Sequence, residues 1–311
     1  MPFFSVIIPL YNKESYIKNT LKSVINQSFT DFEIIIIDDG STDESLNLAY
    51  QFQDSRITII EQKNQGPSVA RNKAINIAKG KYIAPIDADD IWYKNHLLEL
   101  KSLINSFPNA GLFCNNYEIK LDDNLIKKAN FNFSYNSEHI EIPNFFDANI
   151  YNYIPSSSST AFLKSSFIKL GTYNTSLRTG QDLDLWIRFA LKYKVVFNPN
   201  ITMTYNHYDD SSLSKSSYNL DRYNYISYYK EEEKQNPSLK KYLDVNRYAV
   251  SLRCKVNNEK ELYRKLKKEI NYKNLNAKQM LLINMPIFGL KLMKKLQMFL
   301  INKNIYLTAF K

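Results

Sequence analysis

Three carboxylates crowd into four positions of the chain, as Asp87, Asp89 and Asp90, directly after the apolar segment YIAPI. Such crowding is costly without a counter-charge. A divalent cation bound by hard oxygen ligands, together with substrate phosphates, would supply one. The D-x-D spacing therefore predicts a site for a metal ion and a diphosphate. The alternative is a capped, solvated helix start at Trp92, which needs no ligand.

Three other segments carry residues suited to binding a nucleotide. In IIPLYN, Pro9 ends a strand and places Tyr11 on the following loop, where its flat ring can stack on a base. In IIIIDDGSTD, Asp39 follows a buried strand and can accept a hydrogen bond from a base imide or a ribose hydroxyl. In NQGPSVARN, Arg71 offers a planar fork of donors to a diphosphate or a base. The alternatives are a surface tyrosine, a helix cap and a solvated helix arginine, respectively.

The elements that must position these residues alternate between β-branched runs and helical patterns. This alternation is typical of an α/β fold, in which helices cover a mostly parallel sheet. Polar residues gather after the strands, at the sheet edge where open α/β sheets bind ligands. The strands are predicted at Phe3–Pro9, Glu33–Asp38, Ile57–Glu61, Lys81–Ile86 and Ala110–Asn115. The helices are predicted at Ser15–Gln27, Thr42–Gln53, Ser68–Ala78 and His96–Ser106.

The pattern is weaker further along the chain. Residues 117–154 are rich in Asn and Asp and indicate a loop or a short hairpin. Beyond Ser211 the sequence is helical and basic. Between these regions we expect a strand at Ser159–Leu163, a helix at Asp182–Lys194, and short strands at Val195–Phe197 and Met203–Tyr208.

The net charge of +10 is unevenly distributed. Residues 1–210 hold 20 Lys and Arg against 23 Asp and Glu, whereas residues 211–311 hold 21 against 8. A near-neutral body with a cationic appendage indicates an anionic partner surface, either membrane phospholipid or nucleic acid.

Composition excludes several classes of protein. The length suits one large α/β domain plus a smaller appendage. The two cysteines, Cys114 and Cys254, lie far apart and form neither a disulfide framework nor a zinc motif, which favours a reducing cytoplasm. The apolar start lacks a basic region and a cleavage site, and no segment is apolar over the length of a bilayer crossing.

The motifs IIPLYN, DDGSTD, N-x-G-x-x-x-ARN, IDADD and TGQDLDLWIRF occur in this order. Together they resemble the family-2 glycosyltransferases with a GT-A fold, a Rossmann-like α/β architecture, over roughly residues 3–210. The resemblance implies inverting transfer of a sugar from a nucleoside diphosphate, by default UDP, with Mn²⁺ or Mg²⁺. It implies a catalytic domain at 1–210, with a nucleotide half near 1–116 and an acceptor half near 117–210. A basic helical region at 211–311 would follow.

The resemblance also implies roles for individual residues. Asp182 matches the general base, and a carboxylate at a helix start beside the anomeric carbon can take the acceptor proton. Gln181 replaces a commoner glutamate, which leaves acceptor contacts at that position in doubt. Trp186 and Arg188 are expected to be structural. The implied ligand-binding residues are Pro9, Tyr11 and Asp39 for the base, Arg71 for the nucleotide, Asp87 for the ribose, and Asp89 and His207 for the metal.

The resemblance suggests a lipid-linked glycan acceptor in bacterial surface-polysaccharide assembly, such as O-antigen or capsule. Residues 283–311 fit this setting, because Leu290, Met293, Leu296 and Leu300 recur at helical spacing with lysines between them. Such a basic amphipathic helix can lie on an anionic bilayer, here the inner face of the plasma membrane. The alternative is a helix that packs on the catalytic domain or on a second subunit of a homodimer.

Two other functions agree less well with the sequence. A sugar-1-phosphate nucleotidyltransferase would usually carry a Gly-rich, Arg-containing loop after its first strand, and IIPLYNKE does not. A nucleic-acid-binding protein using the basic tail would be expected to carry positive charge on its folded body or a recognisable binding module, and neither is present. We therefore expect a nucleotide-sugar donor and a glycan acceptor as partners, and no nucleic acid.

Overall fold

A computed structural model of the chain describes residues 1–122, 125–207, 216–301 and 309. The chain divides into two compact units. One comprises Met1–Ala129, Ser134–Pro143 and Ile154–Ser211. The other comprises Asn130–Phe133, Asn144–Tyr153 and Ser212–Lys311.

The first unit is built on a mixed sheet with the strand order β3-β2-β1-β4-β9-β6-β10-β5. Strands β3, β2, β1 and β4 run parallel, β9 is antiparallel to both of its neighbours, and β6 and β10 run parallel to each other. Two short strands pair at the side, β7 with β6 and β8 with β10. The strands are β1 Phe4–Leu10, β2 Phe32–Asp38, β3 Ile57–Glu61, β4 Tyr82–Pro85, β5 Ile91–Trp92, β6 Leu112–Asp122, β7 Leu125–Lys128, β8 Ile140–Glu141, β9 Thr160–Leu163 and β10 Val195–Asn206.

Helices of the first unit flank this sheet, while α5 and α8 to α13 belong to the second unit. The helices of the first half are α1 Ile17–Ile25, α2 Ser45–Tyr50, α3 Pro67–Ile77, α4 His96–Ser106 and α5 Phe145–Ala148. Those that follow are α6 Lys164–Leu170, α7 Gln181–Lys192, α8 Asn219–Ser227, α9 Glu232–Gln235, α10 Pro237–Val256, α11 Lys260–Glu269, α12 Ala277–Asn284 and α13 Ile287–Ile301.

The predicted α/β architecture with helices flanking a sheet is confirmed. The strand predicted at Ile57–Glu61 and the helix at His96–Ser106 have the predicted bounds, and α1 to α3, β1, β2 and β4 agree within three residues. The run Ile34–Ile37 is buried throughout, as expected for a central parallel strand covered on both faces.

Two strand predictions were wrong in extent. The strand predicted at Ala110–Asn115 continues as β6 to Asp122 and turns back through β7, so that the region read as a loop or hairpin begins with a hairpin. The two short strands after helix α7 are one irregular strand, β10, ending at Asn206; Tyr208 lies outside the described residues. Most of the described asparagines in residues 117–154 are exposed or half-buried, and Asn149 is buried. Within the sheet, the Asn198 side chain donates to Asn115 Oδ1 at 3.0 Å.

The second unit is helical, as predicted for the chain beyond Ser211. Helix α10 contributes Val245 and Tyr248 to a small apolar core shared with the 144–153 segment, α12 and the turn before it. The guanidinium of Arg247 is buried beside this core and donates to both carboxylate oxygens of Glu233, at 2.8 and 3.0 Å. Among the described residues, the helices are too short or too polar to cross a membrane.

Candidate functional site

Parallel pairing brings three loops of the first unit to one edge of the sheet. Leu10 at the end of β1 pairs with Asp38 at the end of β2, and β4 runs alongside β1 on its other side. The residues that follow these strands therefore lie at the same edge. This placement gathers the loop of Tyr11, the loop of Asp39 and the acidic segment that begins at Asp87.

Arg71 connects the acidic segment with the start of helix α7. Its Nη2 donates to Asp87 Oδ1 at 2.6 Å, and its Nη1 lies 3.8 Å from Asp182 Oδ1. The arginine is 4% exposed, whereas the two carboxylates are 31% and 29% exposed. Burial alone would lower the pKa of Arg71, but Asp182 and Asp87 raise it above its usual value. The guanidinium is therefore a fixed positive charge between two carboxylates that solvent can reach.

Asp182 lies in the first turn of α7. The residue before this helix adopts a backbone conformation that favours glycine. Gly180 precedes the helix with φ +83°, in the left-handed region that favours glycine. Burial raises the pKa of Asp182, Arg71 opposes the rise, and Asp87 adds to it. Arg71 Nε and Nη1 are buried, and the described part of the chain offers neither of them a hydrogen-bond partner. A bound ligand can satisfy buried donors that lack a protein partner.

Asp89 and Asp90 have different environments although they are adjacent. Asp89 Oδ2 accepts from Lys13 Nζ at 2.8 Å, in an ion pair whose side chains are 14% and 16% exposed. Asp90 is fully buried, and its Oδ1 accepts from the backbone N–H of Asn206 at 2.8 Å. Burial raises the pKa of Asp90 well above its usual range, and Asp89 and Asp87 raise it further. Asp90 is therefore the acid of the cluster that most readily keeps its proton.

The Asp39 carboxylate organises a neighbouring loop. Its Oδ1 accepts from Gln62 Nε2 at 2.7 Å and from the Gln65 N–H at 2.9 Å, and its Oδ2 accepts from the Gly66 N–H at 2.8 Å. These bonds fix the turn that leads into α3, the helix of Arg71. Asp39 thus has a structural task that its predicted role at the base did not include.

The other predicted ligands lie around this edge. Pro9 is part of β1 opposite Ile37, and the Tyr11 ring is exposed on the following loop. His207 follows β10, where its N–H donates to Lys120 O at 3.0 Å and its ring lies 6.1 Å from that of Tyr205. The preceding Asn206 contacts Asp90, so the end of β10 reaches the acidic cluster. The ligand roles of these residues stay predictions.

The structure adds residues that the motifs did not reveal. Ser158 fixes the acidic segment, since its Oγ accepts from the Asp87 N–H at 2.9 Å. Tyr173 is buried with its ring 5.5 Å from the Arg71 guanidinium carbon. The sequence places Lys13 in the loop after β1, but it does not indicate that Lys13 pairs with Asp89, 76 residues away. The predicted structural roles of Trp186, which is buried, and Arg188, which pairs with Asp184 at 2.7 Å, are confirmed.

The acidic cluster fits a divalent cation only in part. Its donors are hard carboxylate oxygens, and Asp90 Oδ2 is buried with no hydrogen-bond partner within residues 1–122, 125–207, 216–301 and 309. Yet the described residues contain no group of three or more side chains placed to hold a metal ion by themselves. A cation here would need further ligands from a bound phosphate, as Mg²⁺ sites commonly do.

Comparison with protein families decides the class of the chain. Residues 5–171 match the model of the family described as Glycosyl transferase family 2. The chain belongs to this family. The match covers more than half of the chain and includes Asp39, Arg71 and Asp89, while Asp182 and His207 lie beyond it.

Individual relatives agree with the family assignment. An uncharacterised glycosyltransferase of Rickettsia conorii is 34% identical over 61% of this chain and 30% of its own length. The putative teichuronic acid biosynthesis glycosyltransferase TuaG of Bacillus subtilis is 44% identical over 31% of this chain and 39% of its own. The chain thus spans about a third of the length of these relatives.

Solved structures share the fold. S. aureus TarS 1–349 in complex with UDP-GlcNAc aligns with a TM-score of 0.60 at 18% identity, covering 86% of this chain and 91% of that one. The mannosyltransferase PcManGT of Pyrobaculum calidifontis, in complex with GDP-Man and Mn²⁺, aligns with a TM-score of 0.57 at 17% identity, covering 86% and 74%. At this identity the likeness establishes the GT-A architecture alone.

Proposed function

We propose that the chain transfers a sugar, with inversion, from a nucleoside diphosphate to an acceptor hydroxyl, and that the first unit carries the chemistry. The observation that carries this proposal is the bridge formed by Arg71 between Asp87 and Asp182. It ties the acidic segment expected to bind the donor to the carboxylate expected to bind the acceptor. Family membership supports the same assignment.

The reaction is a single displacement at the anomeric carbon. The acceptor oxygen forms a bond to this carbon while the bond to the diphosphate oxygen breaks, and its electron pair leaves with the diphosphate. Asp182 takes the proton of the acceptor hydroxyl, and the raised pKa of its carboxyl suits a general base. The Arg71 N–H groups that have no hydrogen-bond partner among the described residues would donate to the charge that develops on the leaving group.

We further propose UDP as the nucleotide and Mn²⁺ or Mg²⁺ as the cation. Asp39 and Tyr11 would hold the base at the ends of β1 and β2, beside Pro9, and Asp87 would reach the ribose. Asp89 would bind the cation, with His207 as a second ligand. When bound, the cation would neutralise part of the diphosphate charge. A complex of TarS with UDP-GlcNAc and one of PcManGT with GDP-Man and Mn²⁺ support this choice by analogy.

For the acceptor we propose a lipid-linked glycan of a bacterial surface polysaccharide, by analogy with TuaG. Helix α13 supports attachment of the second unit to the inner face of the plasma membrane. Leu290 of the predicted stripe is buried, whereas Met293 and Leu296 are 42% and 43% exposed, so the stripe is packed at its start and open further along. The open side presents Phe288, Leu292 and Phe299, which are 79%, 57% and 58% exposed. Residues 302–308, 310 and 311 of the predicted segment lie outside the described residues.

The activity is tested with a panel of nucleotide sugars incubated with Mn²⁺, in which slow hydrolysis identifies the donor. With that donor, Asp182→Asn is expected to keep the wild-type Kd for the nucleotide and to lose more than a thousandfold in transfer, because the acceptor proton has no base. Asp31→Asn, which removes an exposed carboxylate before β2 at the opposite end of the strand, is the control and should transfer at the wild-type rate. Wild-type transfer by Asp182→Asn would reject the mechanism.

The membrane assignment is tested by flotation with vesicles of anionic phospholipid. A Phe288→Ser/Phe299→Ser variant should lose most of its binding, whereas Leu98→Ser, which removes an exposed apolar side chain from the first unit, should bind like the wild type. Unchanged flotation of the double variant would reject the membrane role. A change in its sedimentation instead of its flotation would favour a homodimer.

A further inference from the structure

A short segment of the first unit, residues 170–173, is hydrogen-bonded both to the helix that carries Arg71 and to the helix that carries Asp182. On the first side the bonds come from Asn72, the neighbour of Arg71 on α3. Its Nδ2 donates to Tyr173 O at 2.9 Å, and its Oδ1 accepts from the Tyr173 N–H at 3.0 Å. The amide thus pairs with both main-chain groups of one residue, as a neighbouring strand does in an antiparallel sheet.

Helix α7 holds the same segment through Arg188. Nη1 of Arg188 donates to Leu170 O and Nη2 donates to Thr172 O, both at 2.8 Å. The planar guanidinium binds the two carbonyls at once, and its ion pair with Asp184 at 2.7 Å orients it on α7. Asn72 and Arg188 therefore connect α3 with α7 through hydrogen bonds of 2.8–3.0 Å.

The backbone of this segment is strained at Thr172. Its φ is +61°, in the left-handed region that a β-branched residue rarely adopts. Such a conformation persists only where the surrounding contacts hold it, and it is common at functional sites. Arg188 bonds the carbonyl of Thr172 itself, and Asn72 bonds the residue that follows. These two side chains therefore hold the strained peptide directly.

The direct contact between Arg71 and Asp182 fixes their separation less firmly than this segment does. Their charged groups lie 3.8 Å apart, which is longer than a hydrogen bond and leaves the side chains free to adjust. The buried ring of Tyr173 lies 5.5 Å from the Arg71 guanidinium carbon. A shift of the segment would therefore also move a ring that packs near the guanidinium.

We propose that Asn72 is a positioning residue for sugar transfer. Through residues 170–173 it holds the Asp182 carboxylate at a fixed separation from the Arg71 guanidinium. Transfer needs this separation, because the base must face the acceptor hydroxyl while the guanidinium donates to the departing diphosphate on the other side of the anomeric carbon. The inference rests on the proposed function, since it takes Asp182 as the base and Arg71 as a ligand of the donor.

The test compares nucleotide binding with transfer, using the donor that the nucleotide-sugar panel identifies. Asn72→Ala is expected to lower kcat for transfer about a hundredfold, because a displacement of about 1 Å at a reacting group can cost that much. The Kd for the nucleotide should stay within about twofold, because Arg71 keeps its 2.6 Å bond to Asp87. Asn76→Ala, which removes an exposed amide one turn further along α3, is the matched control and should transfer at the wild-type rate.

A second variant separates position from stability. Asn72→Gln keeps both hydrogen-bonding groups of the amide and lengthens the side chain by one methylene. A residue that only stabilises the fold tolerates this change, whereas a positioning residue does not. We therefore expect kcat to fall at least about tenfold, with the wild-type Kd for the nucleotide. Wild-type transfer by either variant in its folded form would overturn the inference.

A double-mutant cycle shows whether Asn72 acts through the base. In an Asp182→Asn background, the residual transfer from radiolabelled donor should not change when Asn72 is replaced by alanine. The same hundredfold loss in that background would overturn the inference, because it would reveal a general effect on the fold. Wild-type transfer by Asp182→Asn would reject the proposed function, whereas wild-type transfer by Asn72→Ala beside an inactive Asp182→Asn would overturn the inference alone.

Discussion

Replacement of Arg71 by methionine tests how the site holds its charges. The change keeps the length of the side chain and removes the positive charge that faces Asp87 at 2.6 Å and Asp182 at 3.8 Å. Breaking a fully buried ion pair from one side costs about 3–5 kcal/mol. Here both carboxylates are about one third exposed and keep part of their hydration, so we expect a loss of about 2 kcal/mol in the free energy of unfolding at pH 7.5.

The loss of stability caused by Arg71→Met should depend on pH, because the variant leaves two carboxylates near each other without their counter-charge. Without Arg71 they repel each other, and the pKa of Asp182, already raised by burial, rises further in the folded variant. A carboxyl whose pKa is higher in the folded than in the unfolded chain destabilises the fold at neutral pH, and protonation relieves this cost. The difference between variant and wild type should therefore shrink as the pH falls from 7.5 to 5.

Urea unfolding followed by tryptophan fluorescence is the suitable assay, because Trp92 and Trp186 both belong to the first unit. Lys194→Met is the control: its ion pair with Glu141 is well exposed, and its loss should change stability by less than about 0.5 kcal/mol at either pH. A loss for Arg71→Met no larger than that of the control would refute the reasoning. So would a loss that grows toward pH 5.

Three further outcomes are expected. Gly180→Ala should cost about 1–2 kcal/mol in urea unfolding, since φ at this position is +83°. The ring of His96, which hydrogen-bonds Thr202 Oγ1, has a pKa lowered to about 3 by burial. The NMR signal of the His96 ring should therefore stay that of the neutral form at pH 5. Between neutral pH and pH 5.5, His96 should lower the free energy of unfolding by about 1.4 kcal/mol, because its ring gains a proton only in the unfolded chain. Arg247→Met should cost about 3 kcal/mol and raise hydrogen exchange in α10 more than a hundredfold, because it leaves the Glu233 carboxylate without its bidentate partner.

Strands and helices with a uniformly apolar or a periodic apolar sequence were predictable. The run Ile34–Ile37 has no polar interruption, and a strand buried on both faces needs none. Helix α4 was predicted at its observed bounds, and its residues Leu97, Leu100, Leu103 and Ile104 are buried at helical spacing. In both cases the signal lies within the element, so a short window of sequence contains it.

Elements that depend on distant partners were not predictable in extent. Asparagine favours loops when its amide has no partner, yet the Asn198 amide donates to Asn115 Oδ1 inside the sheet, across 83 residues. In the second unit, the Tyr153 hydroxyl donates to Asn246 Oδ1, 93 residues away. Tyr153 belongs to the region 117–154, where the sequence showed no periodic pattern. The structure at these positions depends on contacts with residues that are distant in the sequence, so a short window of sequence does not predict it.

The same distinction applies to the acidic segment. The sequence correctly indicates that three carboxylates in four positions need compensation, but it does not say from where. The structure compensates each one differently: Asp87 by a guanidinium, Asp89 by an ammonium and Asp90 by burial that favours its proton. The charges of the acidic segment are therefore compensated by groups of the protein, and under the proposed function a cation would compensate the further negative charge of a diphosphate. The charge of the D-x-D motif alone therefore does not predict a metal site, and the metal site stays a proposal that depends on the diphosphate.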